Sequence, residues 1–306
     1  MRLNVGFVGL GNLGRHLAAS IARAGYRLTV HDVDHSAAEP LLAGGARWAE
    51  SPAETAAASE IVVTCLPSPS AVTAVVEGER SLSHGFSKGS TWIDTSTGDE
   101  HELRRLAALL AAKGVDTLEC PVTGGVHRAA AGEITVIAGG DADVFERCRP
   151  LLEAMGGEVF HVGELGRASA LKVVTNMLAF IHLVADGEAL MLSRRAGLDL
   201  TTAWQVIRAS SGNSFVHETE GQLILSGSYD VGFSMDLAAK DLGFATRMGE
   251  ELGVPLELAE LVADTFARAR DAYGGTAQST MVVKLLEDAV GESLRAPGFP
   301  AQLEPS

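Results

Sequence analysis

The sequence is poor in positive charge. Its 306 residues carry 24 Lys and Arg against 39 Asp and Glu, a formal net charge of −15. That balance disfavours nucleic acid and anionic membrane surfaces as partners, because both require clustered basic residues. An anionic small molecule must then be caught by local donors, against the overall field. Cysteine is scarce as well. Cys65, Cys120 and Cys148 show no C-x-x-C spacing, and free thiols without a disulfide framework fit a cytoplasmic setting. No clean membrane span is present: the longest apolar helical stretch, residues 173–192, is interrupted by Asn176, His182, Asp186 and Glu188. The first apolar residues read as a strand, not as a signal peptide. H-E-x-x-H, a P-loop and a Ser-His-Asp order are all missing. The group His31, Asp32, Asp34 and His35 has the chemistry of metal ligands, but it falls at a strand end where a different role is expected, so no metal site is expected.

What is present is a strand–glycine–helix signature at the start. The run V-G-F-V-G-L-G-N-L-G, residues 5–14, leads an apolar strand into Gly9, Gly11 and Gly14 at the spacing G-x-G-x-x-G. A helix follows, with Leu13, Leu17 and Ile21 at four-residue steps, and stops at Ala24-Gly25. A second strand, residues 28–31, ends at Asp32, 21 residues after Gly11. One glycine makes the tight turn, one lets a pyrophosphate approach the backbone, and one packs helix against strand. The helix N-terminus offers N–H groups to the phosphates, and the acid suits an adenine-ribose 2′-hydroxyl. This reads as a dinucleotide site formed by Gly9, Leu10, Gly11, Asn12, Leu13, Gly14 and Asp32. NAD is the expected cofactor and NADP the less favoured one, because Val33, Asp34 and His35 follow Asp32 and no arginine does.

The first half goes on alternating strands and helices. Residues 61–66 are a near-continuous apolar run, the mark of a parallel strand buried on both faces. Strands are expected at 91–94, 116–120, 134–138 and 159–161. Such alternation predicts an α/β, doubly wound parallel sheet of the Rossmann type. After Gly163 the pattern is helical only: a long helix over 166–195, then helical periods over 201–209, 235–252, 256–273 and 281–290. The expected organisation is a dinucleotide-binding domain over 1–162, an all-helical domain over 163–295 for substrate and oligomerisation, and a loose tail over 296–306 with three prolines.

Three loops at the carboxyl ends of the expected strands are candidates for chemistry. They are Leu66-Pro67, Ser96-Thr97 and Pro121-Val122-Thr123-Gly124-Gly125. In the last, a hydroxyl beside two glycines exposes consecutive N–H groups, as an anion nest does, although an ordinary turn has the same composition. Lys172 falls one turn into the apolar junction helix, with Asn176 four residues on and on the same face. A lysine partly stripped of water can pass protons near neutrality, whereas one on a solvated face does nothing. From the residues alone these two readings weigh equally. Lys240-Asp241 reads as a surface pair.

Taken in order, G-L-G-N-L-G, D-T-S-T, P-V-T-G-G, the junction-helix lysine with its asparagine, and K-D-L resemble the β-hydroxyacid dehydrogenases, the 3-hydroxyisobutyrate dehydrogenase and tartronate semialdehyde reductase group, over nearly the whole chain. The resemblance implies that Thr123, Gly124 and Gly125 hold a substrate carboxylate and that Lys172 is the catalytic acid/base. It implies that Asn176 orients the substrate with Asp241 beside it, and that Leu66, Pro67, Thr97 and Lys240 line the nicotinamide cofactor. The chain departs from the pattern at Glu100, where the family has proline, at Thr123 for serine, at Ala168 for glycine, and at His127 and Arg128, which are not part of it. The expected activity is NAD-dependent interconversion of a small 3-hydroxy acid and its aldehyde or keto acid, in a homodimer or homotetramer. The rivals are an imine or carbonyl reductase on the same scaffold and a non-catalytic NAD-binding module.

Overall fold

The structure is a computed structural model and describes residues 3–304. It divides into two compact units, the first closing at Lys172 and the second running Val173–Glu304. Nine strands lie in the first: β1 (Asn4–Val8), β2 (Arg27–His31), β3 (Arg47–Trp48), β4 (Ile61–Thr64), β5 (Thr91–Asp94), β6 (Asp116–Glu119), β7 (Val122–Thr123), β8 (Thr135–Gly140) and β9 (Glu158–His161). Their order is β3-β2-β1-β4-β5-β6-β8-β7, with β9 also on β8.

The first six strands are parallel, and the order reverses between β1 and β4. Open α/β sheets bind ligands at that switch point, outside the carboxyl ends of the strands. The expectation of a parallel sheet holds for those six. Beyond them β8 runs antiparallel to β6 and β7, and β9 runs parallel to β8.

Helices cover both faces, and the strand residues show why. Phe7, Val63 and Ile93 are buried in one apolar layer, while Val8, Val62 and Trp92 are buried in the other. Successive residues of a strand point to opposite faces, so a strand covered twice must be apolar throughout. All four residues of β4 are buried.

The second unit is helical. Its core holds Phe180, Leu183, Leu190, Trp204, Ile224, Met235, Leu242 and Phe266. The helix Arg167–Arg195 opens in the first unit and continues into the second. Its apolar window has a mean hydropathy of 1.6, enough by length and composition to cross a membrane. It also carries Lys172, Asn176 and Asp186 buried and Phe180, Leu183 and Leu190 in the core, which is how a core helix is built.

Two features of this unit were not anticipated. A helix over Phe215–Ser226 carries Gly221 in its middle, where a Cβ would lie 2.9 Å from Asp186 Oδ2. Close approach explains that glycine, and its presence hides the helical pattern. The stretch after residue 295, read as a loose tail, packs down: Phe299 lies edge-on to Trp204 at 5.2 Å, and Ala296 rests on the core. Pro305 and Ser306 lie outside the described residues.

Candidate active site

The glycines of the first loop divide their work as the motif requires. Gly9 has φ +98°, and a Cβ there would strike the Cys65 carbonyl. A Cβ on Gly14 would strike the Gly9 carbonyl, so this glycine lets the helix Gly14–Arg23 sit on the turn. Gly11 has nothing within 4 Å of its Cβ direction, and is the one that leaves room for a pyrophosphate. Asp32 follows β2 directly. Its Oδ2 accepts from Leu10 N at 2.6 Å, and its Oδ1 from Asp34 N at 2.9 Å. The carboxylate therefore fastens the glycine loop to the end of β2.

Leu10 sits in the loop in a different way from the glycines. Its side chain is buried in the core and its N–H is taken by Asp32, so it shapes the loop. Leu13 also packs against that core. Asn12 accepts from Arg15 Nη2 at 2.6 Å. His31 is engaged by the Ala49 carbonyl, and among the described residues no group of three acids, histidines or cysteines is placed to hold a metal ion.

The next two candidate loops are joined by hydrogen bonds. Leu66 N donates to Ser96 Oγ at 2.9 Å, and Ser96 Oγ donates to Asp94 Oδ1 at 2.6 Å. Thr64 Oγ1 donates to the same oxygen at 2.7 Å and accepts from Trp92 Nε1. Leu66-Pro67 and Ser96-Thr97 are thus held together by one buried carboxylate. Burial pushes Asp94 up to about 6, against the pull of the Ser96 and Thr64 bonds.

Thr123 ends β7, and Gly124 and Gly125 follow with φ of +120° and +83°. Two successive positive φ values turn the chain into the short helix Gly125–Ala131. His127 and Arg128 fold back on this turn: the His127 ring and Arg128 Cδ lie 3.2 and 3.0 Å from where Cβ atoms of Gly125 and Gly124 would stand. Burial, then the Arg128 charge, holds His127 below its usual range.

Lys172 is 8% exposed on the long helix. Asn176, one turn on, is also buried and donates through Nδ2 to Asp241 Oδ2 at 2.6 Å. Asp241 pairs with Lys240 Nζ at 2.9 Å and is itself buried, so Lys240-Asp241 is no surface pair. The second unit therefore brings Asn176, Asp241 and Lys240 together.

Two acids were given no role by the sequence reading, although Asp94 opens the D-T-S-T motif. Asp94 and Glu119 are neighbours across β5 and β6, both buried at the carboxyl ends of their strands. Their position at the ends of apolar strands was the available signal.

A parallel sheet with a G-x-G-x-x-G turn at its switch point, and a buried lysine on the helix that leaves it, define an NAD(P)-binding oxidoreductase. The comparisons narrow this. Residues 4–163 match the NAD binding domain of 6-phosphogluconate dehydrogenase, and residues 166–286 the NAD-binding domain of NADP-dependent 3-hydroxyisobutyrate dehydrogenase. The 2-(hydroxymethyl)glutarate dehydrogenase of Eubacterium barkeri is 32% identical over 95% of this chain and 97% of its own. The 3-hydroxyisobutyrate dehydrogenase of Pseudomonas aeruginosa is 34% identical, with 86% and 91% covered. The crystal structure of 3-hydroxyisobutyrate dehydrogenase from Salmonella typhimurium superposes with a TM-score of 0.86 at 32% identity, covering 92% of this chain and 99% of that one. The chain belongs to the 3-hydroxyisobutyrate dehydrogenase-like family of β-hydroxyacid dehydrogenases, NAD(P)-dependent enzymes that act on the CH–OH group of small hydroxy acids.

Proposed function

We propose that the protein is an NAD-preferring dehydrogenase of a small 3-hydroxy carboxylate in which Lys172 moves the proton. The observation that carries this reading is the burial of Lys172, 8% exposed, on an otherwise apolar stretch of helix with buried Asn176 one turn away. Desolvation of a lysine favours the neutral amine, the form that can accept a proton.

Gly9, Gly11, Gly14 and Asp32 would hold the dinucleotide, with Leu66, Pro67, Thr97 and Lys240 toward its nicotinamide end. When bound, the dinucleotide supplies the hydride acceptor for oxidation and the hydride donor for reduction. The N–H groups of Gly124 and Gly125 and the Thr123 hydroxyl hold the substrate carboxylate, which fixes the carbon that reacts. Asn176, itself held by Asp241, orients the substrate. Lys172 takes the hydroxyl proton as the neutral amine during oxidation. As the ammonium it returns a proton to the carbonyl during reduction. The Eubacterium and Pseudomonas relatives are named for 2-(hydroxymethyl)glutarate and 3-hydroxyisobutyrate, and both acids, with L-threonate and L-serine, form the panel to screen by NADH absorbance.

Homo-oligomerisation fits the exposed apolar residues of the long helix: Leu178 is 45% and Leu192 73% exposed, with exposed Ala185 midway between them. Three free cysteines fit a cytoplasmic setting.

The test is Lys172→Ala with Lys172→Arg beside it. Loss of a general acid/base should lower kcat by roughly a hundredfold or more, with the Kd for NADH little changed. Arginine should not rescue, because a guanidinium stays protonated. Lost NADH binding with kcat retained at saturation makes Lys172 a cofactor residue instead, and near-normal values of both return it to a structural one.

A further inference from the structure

Glu119 is the last residue of β6, and its side chain does not stay with its own strand. It crosses Gly139 of β8, where a Cβ would collide with Glu119 Oε1, and reaches the start of the long helix. There Oε1 accepts from Gly166 N at 2.5 Å and from Ala168 N at 3.0 Å. Oε2 accepts from Ser169 N at 3.1 Å and from Ser169 Oγ at 2.5 Å. The free N–H groups of a helix's first turn usually find a cap from the residue just before the helix. Here the cap comes from 47 to 50 residues away in sequence, from another element. The carboxylate is 1% exposed, and burial raises its pKa while these four donors lower it.

The position of this acid ties two parts of the site together. Thr123, Gly124 and Gly125 begin four residues after it, along a backbone fixed by Cys120 N donating to the Asp94 carbonyl and Ile137 N to that of Pro121. Lys172 stands three residues beyond Ser169, on the next turn of the capped helix, and residues three apart share a helix face.

We propose that Glu119 is the positioning residue that sets Lys172 against the carboxylate-binding turn. The proposal rests on the reading of Lys172 as the acid/base. Proton transfer needs heavy atoms within hydrogen-bond reach, and a displacement of about 1 Å can cost about a hundredfold in rate. A carboxylate satisfying four donors fixes the helix start along its axis and about it. A glutamine keeps the volume but puts an NH2 where one oxygen was, so at least one backbone N–H of the helix start is left facing a donor, while the Ser169 hydroxyl can turn to accept. The cofactor loop lies on β1, separated from β6 by β4 and β5, and should not register the change.

The experiment is a double-mutant cycle of Glu119→Gln and Lys172→Ala, read with whichever acid of the panel above is turned over fastest. Glu119→Gln should lower kcat at least tenfold, change the substrate KM and the Kd for NADH by no more than about twofold, and unfold cooperatively. In the Lys172→Ala background the same substitution should cost less than twofold, because the group it positions is gone. An equal loss in both backgrounds shows that Glu119 does not act through Lys172 and overturns the proposal, as does an unchanged kcat in the single variant. If Lys172→Ala itself keeps its activity, the acid/base reading fails and this inference falls with it. If Lys172→Ala is slow and Glu119→Gln is not, only the inference falls. Should Glu119→Gln not fold, Ser169→Ala removes one donor alone, and its smaller loss of kcat must likewise vanish in the Lys172→Ala background.

Discussion

Asp32 shows how one side chain can serve structure and selectivity together. Its two oxygens accept from Leu10 N and Asp34 N, which leaves each oxygen a lone pair for a ribose hydroxyl. A 2′-phosphate at the same place would meet Asp32 and, two residues on, Asp34, whose carboxyl the Ser36 hydroxyl and N–H hold below its usual range. Val33, Asp34 and His35 supply no arginine to offset that charge. The expected preference for NAD over NADP is about 2 kcal/mol or more in kcat/KM, the scale of an unsatisfied charged group. Steady-state kinetics with both cofactors measure it, and equal or better efficiency with NADP would end this account of Asp32. At this scale the sequence was informative where a residue type is rare in its context. Lys172 on an apolar helix and Thr123 beside two glycines were visible for that reason. Glu119 and Asp94 were not, because a buried acid is explained by its donors. Those of Glu119 lie 47 to 50 residues away, and those of Asp94 include Thr64, 30 residues off.

Among the elements, the strand–turn–helix over 4–23 is the one most fully written in the sequence, since each glycine answers to a local steric demand. That makes two substitutions tell different stories. Gly14→Ala would drive a methyl into the Gly9 carbonyl, 3.3 Å from Cys65 Cβ. It should destabilise the fold by about 1–3 kcal/mol, the usual cost of overpacking, and weaken NADH binding at least tenfold. Gly11→Ala meets nothing within 4 Å. It should leave Tm unchanged and weaken NADH binding alone, because its methyl intrudes only where the pyrophosphate belongs. Thermal unfolding and fluorescence titration of NADH separate the two, and a Tm loss in both variants would show that Gly11 is a structural glycine as well. Other elements were less legible because their causes are not local. β8, antiparallel to β6 and β7, is buried along nearly its whole length as the parallel strands are, so its direction is set by which edge it joins. The helix Phe215–Ser226 breaks its own pattern at Gly221, which is there for Asp186 and Trp204. Phe299 is held by Trp204, far from it in sequence.

For the whole molecule, net charge and buried titrating groups act in the same direction. His217 is 1% exposed; Nδ1 is 2.5 Å from Asp186 Oδ1 and Nε2 is 2.9 Å from the Trp204 carbonyl. A carboxylate on one nitrogen and a carbonyl on the other favour the doubly protonated imidazolium ring. Burial opposes that charge, but the Asp186 hydrogen bond and charge carry the His217 pKa above its usual 6.5. A group raised in this way stabilises fully below 6.5 and loses the contribution as pH rises through its folded value. Two acids have the same slope. Glu220 is pushed up to about 8 by burial and by the Asp186 charge, and Asp94 up to about 6 by burial. Each is ionised in the unfolded chain at pH values where the folded protein still holds its proton, so each costs stability as pH climbs from about 4 toward its folded value. Glu102 opposes them at the acid end: bonds from Arg105 and Thr73 hold it down to about 2, so its contribution is lost as pH falls below 4.5. The charge of −15 at pH 7 adds self-repulsion that grows with pH. Tm should therefore peak near about pH 5 and fall continuously to about pH 8.5, at fixed protein concentration and ionic strength. His217→Gln should lower the peak and flatten the slope above pH 6.5. About 0.5 M salt should reduce the share due to overall repulsion and leave the share due to the buried pair, which solvent ions do not reach. A Tm that is level or rising between pH 6 and 8.5 would mean that His217 is neutral in the folded protein, and that one of its two hydrogen bonds is not made.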